Sequence, residues 1–319
     1  MTRLPPSILQ WSTRHHAWTG STDAAEVLLA HGKSEALLTD FPASSVDLVL
    51  TDPPYFIDSL DDTWDQGKIA SRRARAGTVG TLPVGMKFDP EQGKKLQEFL
   101  YPIFQECLRV LKPGGFLVSF SQARLYHRMT MAAEEAGFEI RDMLGWTYEG
   151  QAKAFSQDHF VRKMDLSEKK KKALIKQLDG RKTPQLKPMI EPMVFGQKPR
   201  NGTFIQNWIE HGVGLIDTSQ RWDDKFPGNL MECAKPGRAE KGADTEHLTV
   251  KPLKVLEHLV RVLTAPDAIV LDPFAGSSST QIAALRAGRS AVGIEKDASH
   301  IKQSIARLGT QIEESSKSK

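Results

Sequence analysis

Five continuous apolar segments, separated by amphipathic stretches, constrain the fold of this 319-residue chain more than any other feature. Each segment is rich in Val, Leu and Ile. Continuous runs of this kind are typical of strands buried on both faces, and the helical stretches between them favour a parallel sheet covered by helices on both sides. The sequence therefore predicts a doubly wound α/β fold, with strands at residues 46–50, 116–120, 189–195, 268–271 and 290–294.

Three of the intervening stretches have the periodicity of amphipathic helices. They cover residues 92–111, 125–136 and 252–263. The first is ended by Pro113-Gly114-Gly115 and the second by Gly137, while the third has a proline at its first turn. We therefore expect helices over these three ranges.

Two longer segments interrupt the alternation of strands and helices. Residues 58–85 have no sustained periodicity, contain four glycines and carry Arg72, Arg73 and Arg75, so they are interpreted as a mobile loop. Long loops inside compact α/β domains are usually functional. The second segment, residues 150–188, is rich in lysine.

The composition excludes a disordered or fibrous protein and concentrates positive charge in one segment. The chain has 39% hydrophobic and 26% charged residues, and 43 Lys and Arg against 39 Asp and Glu give a formal net charge of +4. Residues 150–188 hold eleven basic and four acidic residues, so this segment carries +7 and the remainder −3. The run is either a solvated helix face or a nucleic-acid contact, and nearby aromatic residues suit the second: Phe155, His159, Phe160, Trp208 and Trp222.

The remaining composition points to the cytoplasm. Two cysteines, Cys107 and Cys233, are too few for a disulfide framework or a four-thiolate zinc site. The first residues lack the apolar core of a signal peptide, and no apolar run approaches the roughly 18 residues that a membrane span needs. For that reason no membrane contact is expected. The histidines have no recognisable metal-ligand spacing, so no metal site is expected either.

A strand that runs directly into Thr51-Asp52-Pro53-Pro54-Tyr55 is the first candidate site. Two successive prolines cannot continue a central strand, so the chain must leave the sheet at the carboxyl end, where α/β folds place their sites. The exocyclic amine of a nucleobase is a poor nucleophile because its lone pair is delocalised into the ring. The Asp52 carboxylate and the Pro53 carbonyl could accept its two hydrogens while Tyr55 stacks on the base.

A second strand, turn and helix begins at Asp272-Pro273-Phe274 and contains Gly276 followed by three serines and Thr280. The glycine permits close approach of a ligand to the backbone, and the hydroxyls and N–H groups can bind its polar atoms. The next strand ends at Glu295, where an acid can take both hydroxyls of a ribose. Because no G-x-G-x-x-G motif is present, a nicotinamide-dependent oxidoreductase is a distant alternative.

Together these motifs resemble the amino-methylating DNA methyltransferases that use S-adenosylmethionine. Their order, with Asp-Pro-Pro-Tyr first and Asp-Pro-Phe-x-Gly-Ser near the C-terminus, is similar to the β class of that family. Further matches lie at Lys112-Pro113-Gly114-Gly115, at Glu191-Pro192 and at residues 247–252. The resemblance implies a Rossmann-like methyltransferase fold, an α/β doubly wound mixed sheet that is circularly permuted and carries an inserted DNA-recognition region.

The resemblance also implies a division of the chain. Residues 22–149 would form the catalytic half, residues 150–246 a target-recognition insertion that includes a core strand at 189–195, and residues 247–308 the cofactor-binding half. Residues 309–319 would be a flexible tail. The loop at 58–85 would close over DNA. Two features of β-class relatives stay open for this chain, namely a homodimer and a cognate restriction enzyme as partner.

Site roles follow from the same resemblance. Asp52, Pro53, Pro54 and Tyr55 would bind the flipped base and its amine. DNA contacts would come from the basic residues Arg72, Arg73, Arg75, Lys163, Lys169, Lys170 and Arg181. S-adenosylmethionine would be held by Asp52, Thr249, Lys251, Asp272, Pro273, Phe274, Gly276, Ser277, Ser278, Ser279, Thr280, Glu295 and Asp297.

Two positions depart from the family pattern. Ser278 stands where relatives often have glycine, so a side chain occupies a place of close approach and a cost to cofactor affinity is expected. Lys33 follows Gly32 where an acid commonly contacts the adenine of the cofactor, and Asp297 is the candidate to replace that acid.

The leading hypothesis is methyl transfer to N6 of adenine in double-stranded DNA after base flipping, without a metal or a covalent enzyme intermediate. Asp-Pro-Pro-Tyr leans to adenine within the family. The alternatives are an N4-cytosine methyltransferase, an enzyme acting on guanine or RNA, and a catalytically weak DNA-binding relative motivated by Ser278 and Lys33. The expected location is the cytoplasm, with association to the nucleoid through DNA.

Overall fold

The computed structural model describes residues 3–55, 90–237, 240 and 250–317. Several predictions therefore lie outside the described residues. They are the loop at 58–85 with its arginines Arg72, Arg73 and Arg75, and the cofactor residue Thr249.

The described residues form nine strands and ten helices. The strands are β1 Trp18–Ser21, β2 Glu26–His31, β3 Val46–Thr51, β4 Leu111–Phe120, β5 Glu139–Thr147, β6 Ile190–Gln197, β7 Leu230–Glu232, β8 Ile269–Asp272 and β9 Ser290–Glu295. The helices are α1 Pro6–Arg14, α2 Ser34–Leu37, α3 Pro90–Val110, α4 Tyr126–Glu135, α5 Asp158–Lys163, α6 Glu168–Gln177, α7 Phe204–His211, α8 Leu253–Leu263, α9 Ser279–Arg286 and α10 Ala298–Lys317. All five predicted strands and all three predicted helices are confirmed. Their boundaries lie close to those expected, except that β4 begins earlier, at Leu111.

One sheet contains all nine strands in the order β1-β2-β9-β8-β3-β4-β6-β5-β7. The five strands β2, β9, β8, β3 and β4 run parallel to one another, whereas β6 is antiparallel to both β4 and β5. The doubly wound mixed α/β sheet is thus confirmed. The expectation of a parallel sheet from the apolar runs is wrong for the strand at 189–195, because burial on both faces does not determine strand direction.

Helices cover both faces of the sheet and create two apolar cores. Along β3, Val49 points into one core with residues of α3 and α4, while its neighbours Leu48 and Leu50 point into the other with residues of α8 and α9. Alternate side chains of a strand point to opposite faces, so each strand contributes to both cores. This explains why the strands have continuous apolar sequences.

The flexible tail predicted for residues 309–319 is wrong for residues 309–317. Helix α10 continues to Lys317. Gln311 accepts a hydrogen bond from Arg286 Nε over 2.7 Å, and Ile312 packs against the same core as Trp18. These contacts hold the last turns of the helix against the body of the fold.

The carboxyl ends of the central parallel strands lie together at one edge of the sheet. β3 ends at Thr51 and β8 ends at Asp272, and the two strands are adjacent. Asp52, Pro53 and Pro54 continue from β3 without strand pairing. The two motifs singled out in the sequence therefore meet at this edge. The circular permutation and the segment boundaries at 22–149, 150–246 and 247–308 stay predictions.

Candidate active site

Two aspartates from adjacent strands form the base of the candidate site, and Asp272 is the more buried of them. Thr51 Oγ1 donates a hydrogen bond to Asp272 Oδ1 over 2.6 Å, and the backbone N–H of Phe274 donates to the same oxygen over 3.0 Å. Asp272 is 3% exposed. Burial raises the pKa of its carboxyl to about 7, although hydrogen bonds from Thr51, Phe274 and Thr280 oppose the rise.

Asp52 takes part in two polar contacts at the end of β3. Its Oδ1 accepts a hydrogen bond from the Tyr55 hydroxyl, and its Oδ2 forms an ion pair with Lys251 Nζ. Lys251 lies 199 residues further along the chain, just before α8. The structure thus brings Tyr55 and Lys251, both predicted site residues, into contact with Asp52.

Glu191 completes this cluster, although the sequence motifs assign it no role. Its Oε1 lies 2.9 Å from Lys251 Nζ and accepts a hydrogen bond from the Tyr55 hydroxyl over 3.3 Å. Glu191 is the second residue of β6, which is separated from β3 in the sheet by β4. The signal available in the sequence is an acid followed by a proline at the start of a buried strand.

The ionisation of the cluster follows from its burial and charges. Burial alone would lower the pKa of Lys251, but the carboxylates of Asp52 and Glu191 raise it above its ordinary value, so Lys251 is a cation. Burial raises the pKa of Glu191, and the ammonium of Lys251 opposes the rise. Burial and then the two carboxylates raise the pKa of Tyr55 well above its ordinary value. Tyr55 therefore remains a neutral hydroxyl that donates hydrogen bonds.

Side chains of helix α10 donate hydrogen bonds to the turn after β8. Ser304 Oγ donates to the Gly276 carbonyl over 2.6 Å, and the Arg307 guanidinium donates to the Ser277 carbonyl. Gly276 has a φ of 49° and Ser278 a φ of 58°, so both adopt the left-handed conformation. Ser278 is fully buried, and its hydroxyl has no hydrogen-bond partner among the described residues.

Glu295 supports the same turn from the end of β9. Its Oε2 accepts the N–H of Gly276 over 2.8 Å, and its Oε1 accepts the N–H of Asp297 over 2.8 Å. Burial alone would raise the pKa of Glu295, but His300 and these two N–H groups lower it below its ordinary value. Glu295 is therefore an anion under the turn.

Asp297 lies immediately before helix α10. Its Oδ1 accepts hydrogen bonds from the N–H and the hydroxyl of Ser299, over 2.7 and 2.6 Å. These contacts lower the pKa of Asp297. Its observed contacts are those of a helix cap. The contact with the adenine of the cofactor stays a prediction.

A narrow cleft, partly open to solvent, lies between the two motifs. Eight of the predicted cofactor residues line it, and Thr51, Phe120, Leu256 and Ala275 complete its wall. Of the other predicted cofactor residues that the structure describes, Pro273, Ser278, Glu295 and Asp297 do not line it. The eight residues are Asp52, Lys251, Asp272, Phe274, Gly276, Ser277, Ser279 and Thr280.

The polar groups of this cleft fit S-adenosylmethionine. Its α-ammonium group needs hydrogen-bond acceptors, which the carboxylates of Asp52 and Asp272 provide. Its carboxylate needs donors, which the hydroxyl of Ser279 and the ammonium of Lys251 provide. The donor and acceptor chemistry of the lining residues therefore matches the amino-acid part of this cofactor.

The predicted DNA-binding residues that can be described lie on the surface. Lys163, Lys169, Lys170 and Arg181 are exposed, on or next to helices α5 and α6. Phe155 and Phe160, in the same segment, are 40% and 38% exposed. Trp222 is different, since it is 9% exposed and packs edge-on against His258, so its proposed role as a surface aromatic is wrong.

The described part of the chain holds neither a metal-binding cluster nor a membrane span. No group of three or more His, Cys, Asp or Glu among the described residues is arranged to hold a metal ion. None of the described helices combines the length and apolar character needed to cross a membrane.

Comparisons with known proteins agree with the motif resemblance. A sequence profile of the DNA methylase family matches residues 46–306. The type II methyltransferase M.HindIII of Haemophilus influenzae is 27% identical over 288 residues, covering 84% of this chain and 91% of the relative. The DNA adenine methyltransferase YhdJ of Escherichia coli is 25% identical over 296 residues, covering 88% and 82%. The solved structure of the cytosine-N4-specific PvuII DNA methyltransferase, 19% identical, superposes with a TM-score of 0.59, and the match covers 90% of this chain and 87% of that one.

Proposed function

Because this chain belongs to the DNA methylase family, we propose that it transfers a methyl group to N6 of adenine in double-stranded DNA. S-adenosylmethionine is the cofactor of the family. The observation that carries the proposal is the position of Asp52 and Tyr55, which contact each other at the edge of the cleft that Asp272 and the following turn enclose.

The residues of this edge suit an exocyclic amine. When bound, the cofactor supplies an electrophilic methyl group on a sulfonium. Asp52 and the Pro53 carbonyl would accept the two amine hydrogens, which draws the nitrogen lone pair out of conjugation with the ring. The same acceptors stabilise the positive charge that develops on the nitrogen as it is methylated. Tyr55 offers a ring on which the base can stack.

The target base must leave the duplex to reach this cleft. An amine inside stacked, paired DNA is inaccessible to Asp52, so the nucleotide has to be flipped out. The exposed Lys163, Lys169, Lys170 and Arg181 would contact phosphates of the duplex, and phosphate contacts position DNA without reading its sequence. The homodimer and the restriction partner stay open, and so does the location in the cytoplasm.

N4 of cytosine is the second candidate target. The Asp-Pro-Pro-Tyr motif and the adenine-specific name of YhdJ favour adenine. The cytosine-N4-specific name of the PvuII enzyme keeps the alternative open, because both amines attach to a ring and need the same two acceptors. Which of the two bases is methylated must therefore be measured.

A methyl-transfer assay tests the proposal directly. The protein is incubated with mixed-sequence duplex DNA and S-adenosylmethionine labelled on the methyl group, and the DNA is digested to nucleosides and separated by mass spectrometry. We expect label in N6-methyldeoxyadenosine, with less transfer to the matched single strand. Label in N4-methyldeoxycytidine would establish the second candidate.

The same assay separates an enzyme from a DNA-binding relative. Absence of label in any base, together with retained DNA binding, would contradict the enzymatic proposal. Expression in a host that lacks other DNA methylation, followed by modification-sensitive sequencing, would give the base and the recognition sequence of an active enzyme in one experiment.

A further inference from the structure

Two carboxylates at the candidate site share the same two hydrogen-bond donors. Lys251 Nζ lies 2.9 Å from Glu191 Oε1 and is also paired with Asp52 Oδ2. The Tyr55 hydroxyl donates to Asp52 Oδ1 and lies 3.3 Å from Glu191 Oε1. Asp52 and Glu191 therefore compete for one ammonium and one phenol.

In the proposed reaction Asp52 must accept a hydrogen bond from the target amine, and its contacts with Lys251 and Tyr55 affect how well it can do so. In the structure both oxygens of Asp52 already accept hydrogen bonds, one from Tyr55 and one from Lys251. A target amine has to donate to the same carboxylate, and a carboxylate paired with an ammonium is a weaker acceptor. Each carboxylate oxygen has a second lone pair, so the amine can still donate, but its hydrogen bond to Asp52 strengthens if Lys251 or Tyr55 shifts away.

Water cannot easily replace Asp52 as the partner of Lys251. The side chain of Lys251 is 8% exposed, and its Nζ lies 5.3 Å from the centre of the Phe120 ring. Leaving a buried ammonium without an acceptor is costly. Glu191, at 20% exposure, is the acceptor that already contacts it. It can hold Lys251 while Asp52 turns to the amine.

We propose that Glu191 is a positioning residue for methyl transfer, which holds Lys251 and the Tyr55 hydroxyl so that the Asp52 carboxylate is available to the target amine. The inference rests on the proposed function.

The variant Glu191→Gln tests the inference because it keeps the shape of the side chain and removes its charge. Lys251 is then left with Asp52 as its anionic partner. We expect the single-turnover rate at saturating cofactor and DNA to fall by about 10- to 100-fold, with dissociation constants within about threefold of wild type. Glu139→Gln is the matched control, because Glu139 pairs with Arg141 at the opposite end of the β5–β6 strand pair.

A double-mutant cycle with Lys251→Met separates positioning from packing. If Glu191 acts by holding Lys251, Glu191→Gln changes the rate by less than about threefold once Lys251 has been replaced. An equal reduction of the rate in both backgrounds would overturn the inference, as would a single variant as fast as wild type.

A second readout does not depend on activity. The chain contains four tyrosines, so 3-fluorotyrosine labelling gives four fluorine signals, and Tyr55→Phe assigns one of them. We expect Glu191→Gln, and not Glu139→Gln, to shift the Tyr55 signal and lower the pKa of Tyr55. If the wild-type protein transfers no methyl group, the proposed function fails, and an unchanged Tyr55 signal would separately overturn the contact on which this inference depends.

Discussion

At the scale of single residues, Asp52 is the group on which the proposed chemistry depends. We expect Asp52→Ala to lower the rate of methyl transfer by about 1000-fold, because the amine loses an acceptor that also stabilises the developing charge. DNA binding should be nearly unchanged. Lys251 keeps Glu191 as its partner in this variant, so the fold should persist. Single-turnover rates and DNA dissociation constants check both expectations.

Asp52→Asn is the matched variant for this prediction. It keeps one oxygen acceptor for the amine but removes the negative charge, so its rate should fall between those of wild type and Asp52→Ala. Near-normal turnover of Asp52→Ala would mean that other groups activate the amine.

Asp272 provides a prediction about pH. Burial raises the pKa of its carboxyl from 3.8 to about 7, so the folded protein holds a proton that the unfolded chain releases near pH 4. The contribution of Asp272 to stability therefore declines as the pH rises towards 7 and stays at its minimum above that. Asp272→Asn removes this penalty while its side-chain oxygen can still accept from Thr51 and Phe274.

We expect Asp272→Asn to be more stable than wild type by about 3 kcal/mol at pH 8 without cofactor, and by less than half as much at pH 5. Denaturant unfolding at the two pH values measures the difference. A gain that is equal at both pH values would show that the carboxyl of Asp272 is not the titrating group. Cofactor affinity should fall in the variant, because the α-ammonium loses a carboxylate partner.

Ser278 is the residue whose backbone and side chain are both unfavourable in the described structure. A left-handed φ of 58° is costly for a residue with a Cβ, and its buried hydroxyl lacks a partner among the described residues. We expect Ser278→Gly to raise the free energy of unfolding by about 1 kcal/mol, which denaturant unfolding would measure. Ser278→Ala keeps the Cβ and should gain less.

The same two variants address the expected cost to cofactor affinity. Ser278 does not line the cleft, so the dissociation constant for S-adenosylmethionine in Ser278→Gly should stay within about threefold of wild type. Isothermal titration measures it. Much tighter binding of S-adenosylmethionine to Ser278→Gly would instead support the expectation that the Ser278 side chain lowers cofactor affinity.

Residues of the site differ in how far the sequence could predict them. Asp52 and Tyr55 lie within one short motif, and Asp272 to Thr280 lie within another. The order of residues within each motif is therefore sufficient to predict them. Glu191 lies 136 residues from Tyr55, and its contact with the hydroxyl exists because β6 inserts antiparallel beside β4. No local pattern encodes that pairing, so the role of Glu191 required the structure.

At the scale of secondary-structure elements, burial explains both the successes and the failures of prediction. Strands β3, β8 and β9 are buried along their whole length and were identified by their apolar runs. Strand β5 has three consecutive exposed residues, and β7 is a three-residue strand that pairs with β5 from far along the chain. Their hydrogen bonds, and not their composition, make them strands.

Helix α10 positions the turn after β8, and this gives a prediction at the level of an element. Ser304 and Arg307 bind the carbonyls of Gly276 and Ser277, which fixes the direction of the turn that lines the cleft. We expect Arg307→Lys to weaken S-adenosylmethionine binding by about tenfold, since the loss of one charge-assisted hydrogen bond costs more than about 1.4 kcal/mol.

Lys302→Ala is the control for this prediction, because Lys302 is exposed on the same helix. Isothermal titration of the cofactor and thermal unfolding should be measured on both variants. Equal affinities in wild type and Arg307→Lys would show that the turn keeps its conformation without α10.

At the scale of the whole molecule, the net charge of +4 is the sum of two segments with opposite charge. The sheet and its two cores hold the cleft, while residues 150–188 carry +7 and the rest of the chain −3. Helices α5 and α6 in this segment bury few side chains, and α6 buries none. These two helices add little to the hydrophobic core. Their exposed basic side chains favour a role in binding a polyanion.

The dependence of DNA binding on salt tests this role. Each lysine or arginine that neutralises a phosphate releases counterions, so removing one such residue makes the slope of log affinity against log salt shallower by about 0.9. Replacing Lys163, Lys169, Lys170 and Arg181 together by glutamine should reduce the slope by about 3 to 4 if all four bind phosphate. Cofactor affinity should not change, because these residues are exposed and do not line the cleft. Lys302→Gln, outside the segment, is the matched control, and an unchanged slope in the quadruple variant would assign the basic residues to a solvated surface.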